Sequence, residues 1–333
     1  MRLTNTRTGA AVTVTADAHG SFTAQMTGQA GDSLTLHLTD AAGNTSGTQS
    51  VPVSGGLPPD PAVVAPPLEQ TGVTPLAEAT AFLYSGPTPI QRGVVAGTIE
   101  PRRVAVVRGT VLGRMGAPLP GVMISVKDHP EFGMTLSRAD GLFDLAVNGG
   151  GLVTLDYTKD SYLPVQRQVQ APWQDYVFAQ DAVLIALDPQ VTPIALPGSN
   201  GLQVVQGSPS TDADGTRQAT ILFPPGTAAS MRLADGTTQP LSTLHVRATE
   251  YTVGDTGPTA MPGLLPPTSG YTYAVDLSVD EAMAAGATRV DFTQPVPVYV
   301  DNFLNFPVGG VVPVGWYDRD TAAWIPSDNG TII

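Results

Sequence analysis

The density of glycine and proline is the feature that most constrains how this chain folds. Its 333 residues include 36 Gly and 31 Pro, against usual frequencies of roughly 7% and 5%. Proline removes a backbone donor and interrupts helices, and glycine adopts the backbone conformations that tight turns require. Because many short strands joined by turns accommodate both residues, the sequence predicts an all-β protein.

Composition and net charge argue against some classes of binding partner and of metal site. Hydrophobic residues make up 42% of the chain and charged residues 14%, which is typical of a globular protein. The net charge of −13 argues against a nucleic-acid partner, because such binding depends on clustered cations. We interpret the nearest approach to a cluster, Arg102, Arg103, Arg108 and Arg114, as a solvated strand face. The absence of cysteine excludes disulfides and Cys-ligated zinc, and no cofactor is expected.

The sequence shows no clear signal for membrane insertion or for export. No run approaches the roughly 20 apolar residues that a membrane-spanning helix needs, so we expect no membrane span in this chain. Residues 1–9 are polar and lack the apolar core of a signal peptide. Either export is not directed from this end or the chain is an internal piece of a longer protein, and we favour the second alternative.

Residues 1–55 alternate between apolar and polar positions, as half-buried strands do. The alternating runs are Val12 and Val14, then Phe22, Ala24 and Met26, then Leu34, Leu36 and Leu38. The stretch 22–46 resembles the last strands of bacterial immunoglobulin-like repeats found in adhesins. A full domain of that kind needs about seven strands, and about four are predicted here. We therefore predict a partial immunoglobulin-like domain with an exposed edge.

Residues 56–101 are predicted to be a Pro/Gly-rich linker. Paired prolines at 58–59 and 66–67 favour a semi-extended chain. The second half of this stretch, around Phe82–Pro87, carries enough apolar residues to lie against a neighbouring domain.

Residues 102–188 are predicted to form a compact antiparallel module, in which Asp140-Gly141 is the strongest hairpin signal. The motifs at 109–111, 119–122, 135–143, 155–157 and 162–164 resemble, in that order, the carboxypeptidase regulatory-like, transthyretin-type sandwich. This resemblance implies a small accessory domain used for packing and adhesion. It does not bring the peptidase activity of the namesake, which lies on a separate catalytic domain.

Residues 189–333 are again rich in alternating runs, so we predict a further β-domain. One short helix is predicted to begin at Ser278, with Glu281 completing a capping box, and to end at Gly286. The terminal run from Pro295 to Gly330 resembles the segment that precedes the YD repeats of bacterial rearrangement-hotspot and teneurin-like proteins. Segments 82–91, 129–133 and 248–251 resemble the same proteins in the same order.

The predicted fold is therefore a set of tandem antiparallel β-sandwiches. They comprise an immunoglobulin-like remnant, a transthyretin-like sandwich and a C-terminal plug-like β-sandwich, with one short helix. Among titratable groups, His129 and Glu131 would share a strand face and could bind a metal with a third ligand. Pro130 favours a turn there instead. Likewise, Asp212 and Asp214 resemble half of a calcium loop whose later ligands are missing.

No site for catalysis is predicted. The sequence contains no Gly-x-Ser-x-Gly, His-Glu-x-x-His, dinucleotide-binding or phosphate-loop motif. We interpret His19 as part of a break between strands, His37 as a residue of a polar strand face, and His245 as a surface or satisfied interior residue of a strand. We therefore expect a protein that is not an enzyme and holds no metal, although both metal alternatives above stay open. An enzyme would need a buried cluster of histidines and carboxylates in a cleft.

Aromatic residues suggest two kinds of surface. Six of them could form a sugar-stacking platform or could pack in a core or interface. These six are Trp173, Trp316, Trp324, Tyr84, Tyr271 and Tyr273. A second group is crowded near the end of the chain and interrupted by proline and glycine, so we predict an irregular loop between short strands. We predict that this group forms an interface with the chain that follows; it comprises Phe303, Phe306, Trp316, Tyr317 and Trp324.

The resemblance implies secretion or display on a bacterial cell surface, with adhesion or toxin delivery as activities of the whole protein. We therefore expect a structural and assembly module that closes or anchors a YD-repeat shell located downstream in the same polypeptide. The alternative is an adhesion module that binds carbohydrate or another cell-surface ligand. A row of exposed aromatic side chains on one sheet face would favour that alternative.

Overall fold

The computed structural model describes residues 2–5, 10–15, 33–39, 49–52, 56–69, 71–196, 201–266 and 270–333. The chain divides into two compact units, Met1–Pro58 and Pro59–Ile333. Short strands, most of them paired antiparallel, dominate both units, which confirms the predicted all-β class.

The first unit contains a four-stranded antiparallel sheet with the order β2-β1-β3-β4. Its strands are β1 (Arg2–Asn5), β2 (Ala11–Thr13), β3 (Ser33–His37) and β4 (Gln49–Pro52). Strand β3 covers most of the alternating run predicted around Leu36. The strand predicted at Phe22–Met26 lies outside the described residues, as does His19.

The second unit begins with a β-sandwich, which we call the first sandwich. Its strands are β5 (Val104–Gly113), β6 (Met123–Val126), β7 (Met134–Leu136), β8 (Leu142–Asn148), β9 (Gly151–Thr158), β10 (Val165–Ala171), β11 (Asp175–Phe178) and β12 (Ala182–Leu184). One sheet has the order β10-β9-β6-β7. In the other, β5 pairs with β8 antiparallel and with both β11 and β12 parallel.

The core of the first sandwich lies between these two sheets. Phe143 of one sheet meets Tyr157 of the other edge to face, with ring centroids 5.7 Å apart. Gly109 makes room for this contact, because a Cβ there would lie 2.7 Å from the Phe143 ring. At Asp140-Gly141 the chain makes the predicted tight turn, with a φ of 79° at Gly141. The turn connects β7 and β8, which lie in different sheets and do not form a hairpin.

The second half of the predicted linker packs against the first sandwich. It follows two short helices, α1 (Pro61–Val64) and α2 (Leu76–Thr80), and a 3-10 turn at Ala81–Leu83. Leu83 and Ile90 bury Val106 on the outer face of β5. The outer face of β5 is therefore covered by residues that precede the predicted boundary at residue 102.

The side chain of Gln91 hydrogen-bonds to the backbone of β8 at the edge of its sheet. Its amide nitrogen donates to the carbonyls of Ala146 (2.9 Å) and Phe132 (2.7 Å), and its amide oxygen accepts the Ala146 N–H at 2.7 Å. The Gln91 side chain thus pairs with β8 as a neighbouring strand would. All three bonds are buried, so the backbone groups of Ala146 depend on this one residue.

Gln91→Ala is expected to lower the free energy of unfolding by about 3 kcal/mol, because it leaves buried backbone groups without partners. Urea denaturation measures the change. The matched control is Gln174→Ala, since Gln174 is exposed and bonds to the Arg102 carbonyl at 3.2 Å. Equal stability of the two variants would show that water replaces the Gln91 amide at this edge.

A second sandwich follows directly. Its strands are β13 (Thr192–Ala195), β14 (Gln203–Gln206), β15 (Ser210–Asp212), β16 (Gly215–Arg217), β17 (Ala219–Phe223), β18 (Ala229–Arg232), β19 (Thr238–Leu241), β20 (Thr243–Glu250), β21 (Val275–Val279), β22 (Arg289–Phe292) and β23 (Val298–Val300). They form small antiparallel sheets with the orders β13-β20-β21, β14-β17-β23 and β19-β18-β22, and a β15-β16 ribbon. Val205, Ile221, Phe223 and Leu244 are central to its core.

The second sandwich also carries helices α3 (Gly257–Ala260) and α4 (Asp280–Ala284). Helix α4 is the predicted helix, and Gly286, with a φ of 63°, follows its end. The predicted capping box is wrong. Ser278 lies inside strand β21, and the Glu281 carboxylate accepts the backbone N–H of His245 at 2.9 Å.

The chain ends in two antiparallel ribbons. One pairs β24 (Val311–Val312) with β27 (Gly330–Thr331), and the other pairs β25 (Gly315–Asp318) with β26 (Ala323–Pro326). We call the β25-β26 ribbon the C-terminal hairpin. It supplies side chains to the contact between the two sandwiches.

Candidate functional site

The predicted aromatic interface divides between two environments. Phe303 lies in a turn and Phe306 in irregular backbone, as expected, whereas Trp316, Tyr317 and Trp324 belong to the regular C-terminal hairpin. The prediction of an irregular loop was therefore wrong for these three residues. The hairpin register pairs Tyr317 with Trp324, and their rings meet 5.3 Å apart.

Tyr317 and Trp324 lie on the inner face of the hairpin, which contacts the region between the two sandwiches. We call this region the joint. A Cβ at Gly263 would lie 2.2 Å from the Tyr317 ring, so only glycine permits this approach. The Tyr317 hydroxyl donates to Oε1 of Gln166 at 2.8 Å. Burial raises the pKa of Tyr317 to about 12, so the phenol stays protonated at neutral pH.

The joint has an apolar centre. Leu163, Val183 and Ile185 of the first sandwich meet Tyr251 and Met261 of the second, and Trp324 packs against this cluster. Each sandwich thus shares part of its buried surface with the other, and the joint resembles the interior of a domain more than a flexible linker.

Arg167 supplies the polar centre of the joint. Its side chain, with only 1% of the residue surface exposed, donates to the carbonyls of Gln166 (2.7 Å), Met261 (3.1 Å), Asp181 (3.3 Å) and Thr259. Two of these carbonyls, of Thr259 and Met261, lie at the C-terminal end of α3, where backbone carbonyls lack helical partners and attract cations. Burial lowers the pKa of Arg167 to about 10, so it remains charged at neutral pH.

A second buried arginine organises the adjoining edge of the second sandwich. Arg217, also 1% exposed, donates to Asp212 Oδ2 at 2.8 Å and to Glu250 Oε1 at 2.7 Å. The hydrogen bond to Arg217 holds the pKa of Asp212 well below its usual range. The Phe303 ring lies 4.8 Å from the guanidinium carbon, in cation–π contact.

This ion network continues into the first sandwich. Arg114 donates to the Glu250 carbonyl, and its own carbonyl accepts the Thr256 hydroxyl at 2.6 Å. Burial lowers the pKa of Arg114. Arg114 was predicted to lie on a solvated strand face, but it links the two sandwiches. The Asp212 turn, which resembled half of a calcium loop, binds the Arg217 guanidinium.

The other metal candidate is a local hydrogen-bonded pair. His129 Nδ1 lies 2.8 Å from Glu131 Oε1 in a 3-10 turn at Pro130–Phe132, and this hydrogen bond lowers the pKa of Glu131. His245 pairs with Glu281, and His37 is half buried in β3. Among the described residues, no three His, Asp or Glu side chains converge to hold a metal ion.

The outer face of the C-terminal region is apolar and open. Trp316 is 53% exposed, on the side of the hairpin opposite Tyr317. The neighbouring turns and ribbon add further exposed residues, which are Phe306, Val308, Val311 and Val314. We call these five residues the C-terminal apolar face. Five exposed apolar residues between positions 306 and 316 are more than the singly scattered apolar residues normal for a soluble surface.

The aromatic residues considered as a sugar platform do not share a surface. Tyr84 packs over β5, Tyr271 and Trp324 lie in the joint, and Tyr273 borders the second core. Trp173 is exposed and donates to the Gly149 carbonyl at 3.0 Å. Sequence reasoning missed Tyr176 and Phe178, whose two-residue spacing on β11 places both rings on one face of the strand.

The facing sheets of the first sandwich define a small β-sandwich of the transthyretin type. Residues 99–184 match the family model of the Teneurin TTR-like domain. This supports the predicted resemblance for about a quarter of the chain. In the described regions, no helix is both long and apolar enough to cross a membrane.

Individual relatives agree with this match. The chain is 36% identical to Teneurin-1 of Homo sapiens and 44% identical to Teneurin-m of Drosophila melanogaster, each over 87 residues. Both alignments cover 26% of this chain and 3% of the relative. Teneurin-3 of Mus musculus is 30% identical over 147 residues, which are 42% of this chain and 5% of that protein. The chain therefore spans only a small part of the length of these relatives.

Proposed function

We propose that this chain is a non-enzymatic assembly module of a secreted or surface-displayed bacterial YD-repeat protein. In this role the joined sandwiches hold the C-terminal apolar face in a fixed position, where it closes or anchors the shell formed by the downstream chain. The observation that carries the proposal is the two-sided hairpin, whose inner aromatic residues fix it to the joint while Trp316 on the other side remains exposed.

Physical considerations support a covalently attached partner. Burying the exposed half of Trp316 and of Phe306 would remove roughly 100 Å² each from water, worth several kcal/mol in total at about 25 cal/mol per Å². A tethered partner is already at high effective concentration, so a modest contact is sufficient. Two-stranded ribbons are also marginally stable alone, and a covering partner would stabilise them. The match of residues 99–184 to the Teneurin TTR-like domain is consistent with this setting.

Limited proteolysis tests the proposal. The chain is compared alone and joined to the sequence that follows Ile333 in its natural polypeptide. Cleavage after Trp316 is expected to slow by about ten-fold or more in the longer protein, since contact worth about 1.4 kcal/mol reduces the accessible fraction by that factor. Cleavage after Phe178, on the first sandwich, is the internal control and is expected to be unchanged. Equal cleavage at Trp316 in both proteins would contradict the assembly role.

A further inference from the structure

The outer face of the β5 sheet is divided into a covered half and an open half. Strands β11, β5 and β8 place cross-strand neighbours side by side in rows on this face. One row contains Tyr176, Val106 and Ala146. The next row on the same face contains Phe178, Arg108 and Asp144. The segment containing Leu83 and Gln91 covers Val106 and Ala146. Phe178 is 73% exposed and Tyr176 is 39% exposed, while Val177 between them packs against the core. The two rings therefore point away from the sandwich on an edge strand.

The open half is held in one arrangement. Arg108 Nε donates to Asp144 Oδ1 at 2.7 Å, and the Arg108 guanidinium carbon lies 4.4 Å from the centre of the Tyr176 ring. Asp144 is itself buried and also accepts from Arg138. Because Arg108 is fixed through Nε, its terminal N–H groups remain at a half-exposed edge beside the rings. The Tyr176 ring in cation–π contact, the exposed Phe178 ring beside it and the fixed Arg108 donor make a partly pre-organised surface.

The size of this surface favours a small repeating ligand over a protein. Two aromatic side chains offer at most roughly 500 Å², whereas a stable protein interface needs about 800 Å² from each partner. Each pyranose unit of a glycan has an apolar C–H face, which stacks on an aromatic ring, and oxygen substituents, which accept hydrogen bonds. Rings two residues apart on a strand are separated by roughly 7 Å, so neighbouring sugars can stack on both.

The charges around this surface favour neutral glycans over charged ones. Arg108, Arg138, Asp140 and Asp144 form one cluster, joined by contacts of 2.7, 2.5 and 3.6 Å, and their formal charges cancel. The chain as a whole carries a charge of −13, which repels polyanions such as uronate polymers and nucleic acids. Arg108 therefore serves as a hydrogen-bond donor to hydroxyl oxygens rather than as an unpaired cation.

We propose that Tyr176, Phe178 and Arg108 form a binding platform for a neutral, pyranose-containing glycan. The two rings stack against successive sugars, and the guanidinium donates to their hydroxyl oxygens. This activity is independent of the assembly role, because the platform lies on the first sandwich and the C-terminal apolar face does not contribute to it.

The test uses the whole chain and immobilised hexasaccharides of glucose, galactose and mannose, with a galacturonate hexasaccharide as the charged comparison. Affinity for the best neutral ligand is then measured by calorimetry. Phe178→Ala is expected to weaken binding about ten-fold, the effect of losing roughly 1.4 kcal/mol of stacking. Phe178→Trp is expected to retain binding. Trp316→Ala removes a similarly exposed ring elsewhere and is expected to bind as the parent does.

Phe178 is mostly exposed, so its substitution is expected to leave the thermal midpoint unchanged, and loss of binding would then report on the platform itself. The proposal is overturned if no neutral hexasaccharide binds, if Phe178→Ala binds as well as the parent, or if the galacturonate ligand binds more tightly than every neutral one.

Discussion

Arg217→Met is expected to lower the free energy of unfolding by about 3 to 5 kcal/mol at neutral pH, the usual cost of removing one member of a buried ion pair. Asp212 and Glu250 would lose their shared cation while remaining largely buried. Phe303 would lose the guanidinium on which its ring packs. Chemical denaturation of the whole chain, monitored by tryptophan fluorescence and circular dichroism, measures the loss.

Two further variants separate this effect from a general loss of charge. Arg289→Met breaks a pair with Asp291 that is exposed and 3.0 Å long, and its cost is expected to stay below about 1 kcal/mol. Adding Glu250→Gln to Arg217→Met removes one of the two uncompensated charges and is expected to recover part of the lost stability. A loss for Arg217→Met no larger than that for Arg289→Met would mean that the network contributes little.

Arg167→Met is expected to separate the unfolding of the two sandwiches. Methionine fills a similar volume but leaves the carbonyls of Gln166, Thr259, Met261 and Asp181 without this donor. We expect a loss of about 3 kcal/mol or more, since buried unpaired groups are costly. The loss falls on the joint, so calorimetry should change from one cooperative transition to two.

Hydrogen exchange locates the same effect. The Gln166 amide donates across the joint to the Pro262 carbonyl at 2.7 Å, so its protection is expected to fall in Arg167→Met. Arg103→Met is the control, because Arg103 is half exposed and bonds at 3.3 Å to the Gly149 carbonyl within the first sandwich. A single transition and full Gln166 protection in Arg167→Met would show that apolar contacts alone hold the joint.

Local patterns predicted the strands well, because period-two alternation is set by the strand itself. They failed where a residue far away in the sequence determines which hydrogen bond forms. Ser278 and Glu281 have capping-box spacing, yet the Glu281 carboxylate binds His245, 36 residues away. Gln91 looked like a linker residue, although its three bonds reach 41 and 55 residues along the chain. Spacing along a sequence cannot reveal such contacts.

The site was harder to predict than the fold. Charged residues are usually exposed, so nothing near Arg167 or Arg217 in the sequence predicted their burial. The hairpin aromatics were found by their density, but only the register showed that Tyr317 faces inward and Trp316 outward. The spacing of Tyr176 and Phe178 was visible in the sequence. Its meaning depended on β11 being an edge strand whose outer face is open.

The parallel pairing of β5 with β11 and β12 has a mechanical consequence. Strand β5 begins the first sandwich and β12 ends it, so the entry and exit strands lie side by side and run in the same direction. Tension applied along the polypeptide pulls these two strands in opposite directions along their length. The hydrogen bonds between them are then loaded together, in shear, instead of opening one after another. Within a stretched polypeptide, this sandwich would bear force and yield only after less favourably oriented segments had extended.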